Sequence, residues 1–166
     1  SYARLEGKGL CWPCPAPDHP GTPILHQGRF TRGKGLFSAI PHVPPAELPD
    51  GEYPFLLSTG MRHAHYLTGT MTRRCAMLER ELPELVTDIN PADARKLEIR
   101  EGARLRMVSR RGVVSRMHIT DDVPEGVVFA PLYFAEAMVN LLTCTALDPV
   151  SKTPEYKISA VRLERA

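Results

Sequence analysis

The stretch from Ala103 to Thr120 has the sequence ARLRMVSRRGVVSRMHIT, and its pattern predicts a β-hairpin. Apolar and basic residues alternate before Ser109, so one side of the first strand would be apolar and the other basic. The sequence Arg110-Arg111-Gly112 then turns the chain back into a second strand. We expect the arginines of this stretch to lie on the exposed face and tip of the hairpin and to bind no ligand; they are Arg104, Arg106, Arg110, Arg111 and Arg116.

Short elements are predicted on both sides of the hairpin. Upstream, the pattern indicates strands at 53–58 and 85–89 and short helices at 74–82 and 92–97. Asn90 and Pro91 have the residue types of a helix N-cap and a first helical position. Downstream, strands are predicted at 127–130 and 157–164. Short strands with closely spaced turns and two short helices are typical of a mainly β protein, and we expect a closed or nearly closed β-barrel.

The first third of the chain differs from the rest because it is rich in proline. Ten of the 16 prolines lie between Pro13 and Pro54, and no helical or strand period runs through this part. Proline fixes φ and lacks a backbone donor, which favours extended and turn conformations. We therefore predict an extended, proline-rich strap over residues 1–52 that lies against a surface, followed by the barrel over residues 53–166.

The composition argues against several classes of function. The chain has 166 residues, which suits one domain with an appended segment, and a formal net charge of +2. A mixed surface of this kind predicts no binding of nucleic acid or of an anionic membrane. The sequence has no run of about 18 apolar residues and no signal peptide, so we expect no membrane insertion. Four cysteines are too few for a disulfide scaffold, and we expect reduced thiols and a cytoplasmic location.

A second stretch, Thr68–Arg74 (TGTMTRR), carries the clearest chemical signal, together with Ser58-Thr59-Gly60 before it. Neither a strand nor a helical apolar period runs through it, so we predict a loop. Glycine allows close approach of the backbone, threonine hydroxyls donate hydrogen bonds, and arginine matches phosphate with a planar fork. The loop is therefore a candidate anion-binding site, and a solvated connection is the alternative.

Several motifs follow one another along the chain: TGTMTRR at 68–74, DINPADA at 88–94, GVVF at 126–129, FAEA at 134–137, NLLT at 140–143 and DPVSKTPEYK at 148–157. The strap adds WPCP at 12–15, HPGTP at 19–23 and FTRGKGLF at 30–37. In this order and spacing, the motifs resemble the C-terminal region of molybdopterin oxidoreductases. The large subunit of formate dehydrogenases is the member that they resemble most, and the resemblance covers almost the whole chain.

The resemblance implies a six-stranded double-psi β-barrel that binds bis(molybdopterin guanine dinucleotide) carrying molybdenum or tungsten. It also implies that the metal-ligating residue and an iron–sulfur cluster belong to a missing N-terminal part, and the sequence has no four-cysteine cluster spacing. The chain would then be a fragment of a larger oxidoreductase subunit and would not turn over formate alone. Its partners would be the cofactor, the remaining domains of that subunit and the electron-transfer subunits.

The resemblance further implies which residues contact the cofactor. Asn140 would present its amide to the pterin edge, and Lys157 would lie near phosphate. Met61 and Leu67 stand where relatives commonly have arginine and histidine, which puts the individual contacts at 61–67 in question. The full set of expected contacts, with no catalytic and no metal-ligating residue among them, is Gly60, His65, Thr68, Gly69, Thr70, Met71, Thr72, Arg73, Asn140, Tyr156 and Lys157.

Two alternatives belong to other classes of function. Cys11, Cys14, His19 and His26 have the ligand types of a tetrahedral zinc site, but the prolines between them stiffen the chain. The barrel could also serve as a protein-interaction module, since a fold does not determine a function. The glycine patterns of Rossmann and P-loop nucleotide sites are absent from the sequence. A ligand-binding measurement separates these alternatives.

Overall fold

The computed structural model describes residues 2–111, 113–114 and 117–165. The chain divides into two compact units, residues 1–42 and residues 43–166. Within the described ranges, only the second unit contains β-strands. The expected boundary between strap and barrel after residue 52 stays a prediction.

The first unit contains little regular structure. One turn of 3-10 helix runs over Tyr2–Leu5, and the other described residues form turns, bends and irregular segments. Thr22 makes two hydrogen bonds within this unit. Its backbone N donates to Cys11 O at 2.8 Å, and its Oγ1 donates to Pro13 O at 2.6 Å. The high proline content of this unit explains why its described residues form no longer helix or strand.

The second unit is mainly β with a few short helices, which confirms the predicted fold class at this level. No helix in the described part of the chain is long and apolar enough to cross a lipid bilayer. Short 3-10 helices lie at Thr72–Arg74, Ala135–Ala137 and Val139–Leu142. The other elements are β1 (Phe55–Gly60), α1 (Ala76–Glu81), β2 (Thr87–Ile89), α2 (Pro91–Lys96), β3 (Leu105–Val108), β4 (Val113–Val114), β5 (Met117–Ile119), β6 (Val127–Pro131) and β7 (Ile158–Arg165).

The strands form one mixed sheet with the order β4-β3-β7-β1-β6-β2-β5. β1 lies at its centre, parallel to β6 and antiparallel to β7. The two end strands are neighbours in the chain, because β4 ends at Val114 and β5 begins at Met117. Three consecutive Cα steps span at most about 11 Å, so the sheet must curl until its two ends lie close together. The double-psi connection of a closed barrel stays a prediction.

The apolar core lies on the inner face of the curled sheet. Leu57, Val128 and Val161 are fully buried on the three central strands. On β3, the side chains of Leu105 and Met107 are buried, whereas the arginines beside them are exposed. The alternation predicted for this strand is therefore confirmed.

The start of α2 has the predicted cap. Asn90 Oδ1 accepts the backbone N–H of Ala92 at 2.8 Å, and a proline occupies the first helical turn. The Asn90 amide nitrogen also donates to Val123 O at 2.8 Å. A second link comes from the buried Asp93, whose Oδ2 accepts the Gly126 N–H at 2.6 Å. These bonds fix the turn that leads into β6.

The hairpin arginines only partly follow the prediction. Gly112 and Arg116 lie outside the described residues. Arg110 is exposed and lies over the ring of Tyr53, with 4.3 Å between its Cζ and the ring centroid. Arg111 differs from the prediction, because its side chain is partly buried and its Nε donates to a backbone carbonyl of another turn. The tip of the hairpin therefore contacts the rest of the unit instead of projecting freely into solvent.

Candidate functional site

A cleft of about 460 Å³ opens between four parts of the second unit. They are the loop after β1, Leu132 directly after β6, residues 139–144 and residues 154–157. We refer to residues 139–144 as the Asn140 wall and to residues 154–157 as the Tyr156 wall. The cleft brings together four residues of the set expected from the sequence, namely Thr68, Asn140, Tyr156 and Lys157, and its other lining residues are Met61, Leu67, Leu132, Thr143 and Pro154.

β1 holds the Tyr156 wall against the base of the cleft. Thr59 is buried and donates from Oγ1 to Tyr156 O at 2.6 Å and from its backbone N to Lys157 O at 3.2 Å. Lys157 Nζ donates back to Thr59 O at 3.2 Å. Gly60 follows directly, and a Cβ at this position would lie 2.8 Å from the ring of Phe129. Gly60 therefore allows close packing of β1 against β6 at the start of the loop.

The loop after β1 turns tightly at Gly69. Its φ is +69°, in the left-handed region, and an added Cβ would lie 2.9 Å from Arg73 Cγ and 3.1 Å from Tyr133 Cβ. Backbone bonds from Gly69 N to Tyr66 O and from Arg73 N to Gly69 O, both 2.9 Å long, close the turn. Glycine is therefore favoured here both for its backbone conformation and for its missing side chain.

The loop presents two hydroxyls at its surface. Thr68 and Thr70 are exposed, and their Oγ1 atoms lie 2.7 Å apart, so that one donates to the other. Of the two, Thr68 lines the cleft. Met71 beside them is 75% exposed, which places an apolar side chain next to the hydroxyl pair. The pair retains acceptor positions and one donor that a ligand can use.

His65 lies inside the loop and not in the cleft. Its side chain is fully buried, with Nε2 2.8 Å from Leu82 O and Nδ1 3.2 Å from Thr72 Oγ1. A carbonyl only accepts, so Nε2 carries the proton, and in the neutral ring Nδ1 accepts the Thr72 hydroxyl. Thr72 Oγ1 in turn accepts the Tyr66 N–H at 3.2 Å. One ring nitrogen is used within the loop and the other at the carbonyl that ends α1, so His65 and Thr72 stabilise the shape of the loop and hold it against this helix.

Two carboxylates and an aromatic ring hold Arg73. Its Nη2 lies 3.1 Å from Glu79 and 2.8 Å from Glu136, and its Cζ lies 4.9 Å from the centroid of the Phe134 ring. Hydrogen bonding to Glu136, and then to Glu79, raises the pKa of the Arg73 guanidinium. The hydrogen bond from Arg73 lowers the pKa of the Glu136 carboxyl. The guanidinium thus fastens the loop to α1 and to the 3-10 helix at Ala135–Ala137, and its charge is already balanced.

The two walls offer polar groups that remain available. The Asn140 side chain is exposed, and its amide makes no hydrogen bond to any residue that the structure describes. Tyr156 is 37% exposed, and its hydroxyl is equally unbonded within the described ranges. Lys157 is exposed, and its Nζ lies 5.2 Å from the centroid of the Tyr156 ring. An amide, an aromatic ring and a cation therefore surround one cleft.

Five lining residues were not expected from the sequence, and most of them are apolar. Met61 and Leu67 lie next to each other in space, with Met61 Sδ 3.3 Å from the Leu67 backbone N. Thr143 could have been found, since it ends the motif NLLT at 140–143. Pro154 could have been found in the same way, since it lies in the motif DPVSKTPEYK at 148–157. Leu132 has no local signal, because it lies in none of the quoted motifs.

The residues of the alternative zinc site form no cluster. Cys14 Sγ donates to Cys11 O at 3.3 Å, and His19 Nδ1 accepts the Gly21 N–H at 3.0 Å. In the described ranges, no three side chains of the metal-ligating types lie together. The four cysteines of the chain are free thiols. The zinc alternative therefore gains no support from the geometry.

A family model described as "Molydopterin dinucleotide binding domain" matches residues 55–160. The chain is 46% identical over 168 residues to the F420-dependent formate dehydrogenase subunit alpha of Methanocaldococcus jannaschii, a match that covers 99% of this chain and 25% of that protein. It is 38% identical over 170 residues to the assimilatory nitrate reductase catalytic subunit of Bacillus subtilis, covering 98% of this chain and 24% of that protein. The chain thus spans about a quarter of the length of these relatives.

Among solved structures, acetylene hydratase from Pelobacter acetylenicus has a similar fold. The TM-score is 0.60 at 16% sequence identity, over 69% of this chain and 18% of that one. At this level of identity the similarity concerns the fold alone.

Proposed function

The chain belongs to the molydopterin dinucleotide binding domain family, and we therefore propose that its cleft binds the guanine dinucleotide part of a molybdopterin cofactor. The protein would be the cofactor-binding domain of a molybdenum- or tungsten-dependent oxidoreductase like formate dehydrogenase. The cofactor would be bis(molybdopterin guanine dinucleotide). One observation carries the proposal: three distant stretches of the sequence place Thr68, Asn140, Tyr156 and Lys157 around one cleft.

The residues of the cleft fit such a ligand chemically. A dinucleotide combines charged phosphates with flat heterocycles, and binding sites for such molecules combine apolar surface with a few polar groups. The cleft has apolar surface from Met61, Leu67 and Leu132. Thr68 supplies an exposed hydroxyl, Asn140 an amide and Lys157 a cation. The Asn140 amide makes no hydrogen bond within the described part of the chain.

Each polar residue has a separate role in the proposal. The Asn140 amide donates and accepts at once, which suits the edge of a heterocycle. Lys157 supplies a point charge near phosphate, and the hydroxyls of Thr68 and Thr70 offer hydrogen bonds to it. The half-exposed ring of Tyr156 covers a flat part of the ligand.

The other residues of the expected set act mainly by shaping the site. Gly60 and Gly69 allow the close packing described above. His65, Thr72 and Arg73 use their polar atoms within the loop, on the Leu82 carbonyl or on carboxylates, so we propose that they hold the loop in place. Met71 lies exposed beside the hydroxyl pair and would contact the ligand through apolar surface.

When bound, the cofactor supplies redox chemistry through its metal, and the residues of this chain bind and orient the dinucleotide. The metal-ligating residue, an iron–sulfur cluster and the contacts to electron-transfer subunits would belong to the remainder of a larger oxidoreductase. We favour formate as the substrate of that enzyme, because the identity is 46% to the formate dehydrogenase subunit and 38% to the nitrate reductase subunit. Four free thiols suit the cytoplasm, where we place the protein.

A residue-resolved NMR titration of the 166-residue chain tests the proposal. Guanosine diphosphate is the ligand, adenosine diphosphate is the matched control, and zinc chloride tests the alternative site. We expect shifts confined to Gly60, the loop at 68–72, Asn140 and the pair Tyr156-Lys157, and larger shifts with the guanine nucleotide.

Three other results would contradict the proposal. Equal shifts with both nucleotides would remove the guanine preference. No shift at millimolar nucleotide would show that this chain does not bind the dinucleotide and would favour a protein-interaction module. Shifts with zinc at Cys11, Cys14, His19 and His26 would restore the zinc alternative.

A further inference from the structure

Arg111 reaches from the hairpin of β3 and β4 to the Asn140 wall. Its Nε donates to Thr143 O at 2.6 Å, and its Nη2 lies 3.4 Å from Leu142 O. These carbonyls lie at the end of the 3-10 helix at Val139–Leu142, and the last carbonyls of a helix have no partner inside it. Arg111 therefore caps the short helix that carries Asn140.

Glu47 holds Arg111 from the other side and also contacts β7. Its two carboxylate oxygens lie 2.7 Å and 2.6 Å from Arg111 Nη2, and Oε1 accepts the backbone N–H of Ala160 at 2.7 Å. The preceding residue, Ala46, donates from its backbone N to the carboxylate of Glu155 in the Tyr156 wall at 3.1 Å. The segment at 46–47 thus contacts the Tyr156 wall directly and the Asn140 wall through Arg111.

The pair is shielded from solvent more than an ordinary surface ion pair. The Glu47 side chain is 12% exposed and that of Arg111 is 24% exposed. Removal of Glu47 leaves the Arg111 charge poorly solvated and without its carboxylate, whereas removal of Arg111 leaves Glu47 with only the longer ion pair of 3.7 Å to Arg110 Nη1. Either loss is costlier than losing an exposed pair. The arginine fork satisfies a carboxylate and a carbonyl at the same time, which a lysine cannot do with the same geometry. The link between the walls is therefore stiff.

We propose that Glu47 and Arg111 are a positioning pair that fixes the Asn140 wall relative to the Tyr156 wall and so sets the width of the cleft. Neither side chain lines the cleft, so both act through the backbone of the walls. The consequence for ligand binding rests on the proposed function, whereas the rigidity of the walls does not.

The first test needs no ligand and measures backbone hydrogen exchange by NMR. The variants are Arg111→Gln, Glu47→Gln and, as a control that removes the same charge from an exposed position of β3, Arg106→Gln. We expect about tenfold faster exchange in Arg111→Gln and no change in the control, because two hydrogen bonds from a charged group are lost. The amides to follow are those of Leu141, Thr143 and Cys144.

Two further variants separate positioning from general stability. Arg111→Lys keeps the charge. The amides of the Asn140 wall should therefore exchange more slowly than in Arg111→Gln but faster than in the wild type. The double variant of Glu47 and Arg111 should exchange no faster at the Asn140 wall than Arg111→Gln alone, because the two residues act as one unit. If Arg111→Gln does not fold, the same hydrogen-exchange measurement is made on Arg111→Lys and Glu47→Gln. Unchanged exchange at the wall, or equal acceleration at the core residues Leu57 and Val161, would overturn the proposal.

A titration with guanosine diphosphate then measures the effect on the cleft. We expect Arg111→Gln to bind about fivefold more weakly than the wild type, since one or two side chains must be ordered on binding. Arg106→Gln should bind like the wild type. Equal affinity in Arg111→Gln would overturn the link between the pair and the cleft. A wild-type chain that binds no nucleotide would contradict the proposed function, while the exchange data would still decide whether the pair holds the walls.

Discussion

The hydroxyl of Thr59, at the end of the central strand, donates to the backbone carbonyl of Tyr156 at 2.6 Å. Thr59 is 3% exposed, so its hydroxyl has little access to water. The bond joins the strand that leads into the loop to the wall on the opposite side of the cleft. One buried side chain therefore sets the distance between two parts of the site.

Replacing Thr59 by valine should keep the shape of the side chain and remove the donor. The Tyr156 carbonyl would then be left without this partner, and the free energy of unfolding should fall by about 1–3 kcal/mol. Urea denaturation measures the change. Thr59→Ser keeps the hydroxyl and is the matched control, and its tie to Tyr156 O should remain. A valine variant as stable as the wild type would contradict the prediction.

Gly69→Ala should be more destabilising than Gly102→Ala. Both glycines have left-handed φ values, +69° and +71°, so alanine is strained by about 1–2 kcal/mol at either position. Only at Gly69 does the added Cβ meet other atoms, at 2.9–3.1 Å, whereas nothing lies within 4 Å at Gly102. In urea denaturation, the free energy of unfolding should fall by about 1 kcal/mol or more further in Gly69→Ala than in Gly102→Ala. Equal losses would mean that the loop relaxes freely around the new methyl group.

Asn140→Asp should weaken binding of guanosine diphosphate and leave stability nearly unchanged. The two side chains have the same shape, but aspartate cannot donate and adds a negative charge beside the proposed phosphate site. Because the Asn140 amide makes no bond to the described residues, the fold should not depend on it. Titration should show about tenfold weaker binding and a reduced preference over adenosine diphosphate. An unchanged affinity would remove Asn140 from the site.

Glu136→Gln should reduce stability only at the higher end of a pH series. The hydrogen bond from Arg73 lowers the pKa of Glu136 below its ordinary value of 4.5, so the charged form stabilises the folded state. That contribution is present above pH 4.5 and is lost as the pH falls through the lowered pKa of the folded state. The side chain is 56% exposed, so the difference should be about 0.5 kcal/mol.

Thermal or urea unfolding between pH 3 and pH 7 measures this difference between wild type and Glu136→Gln. It should vanish at the acid end and shrink in high salt, which screens exposed charges. In an Arg73→Gln background, the pH-dependent effect of Glu136→Gln should be smaller, because Arg73 is the largest cause of the lowered Glu136 pKa. A difference that grows as the pH falls would contradict the direction of the pKa change.

Part of the secondary structure could be predicted, where an element depends on residues close in sequence, whereas the 3-10 helices at Ala135–Ala137 and Val139–Leu142 were not predicted. The cap at Asn90 and the alternation around Leu105 and Met107 are local features, and the structure has both. The sheet order is not local. Nothing within Phe55–Gly60 indicates that this strand lies between β6 and β7, since that order results from packing between distant segments.

The sequence could predict those site residues whose chemical type alone indicates a role in binding. The sequence pointed to Thr68, Asn140 and Lys157, and the structure places them at one cleft, although their contacts with a ligand stay a prediction. It could not show that His65 is buried, because that depends on the position of the Leu82 carbonyl. It also could not show that Arg111 contacts a cleft wall, since an arginine beside a turn looks the same whether it is solvated or bonded.

The position of β1 in the sheet has a consequence for how the chain reaches its native state. Leu56 pairs with Val127, and Phe55 pairs with Val161, so both neighbours of the central strand come from much later in the sequence. Contacts between such distant residues require the closure of long loops, which slows folding. During synthesis, the residues of β1 leave the ribosome long before those of β6 and β7. Until then, the backbone groups at both edges of β1 have no strand to pair with. A nascent chain at this stage is exposed to misassociation, and chaperone binding to the early strand would protect it until the last strand arrives.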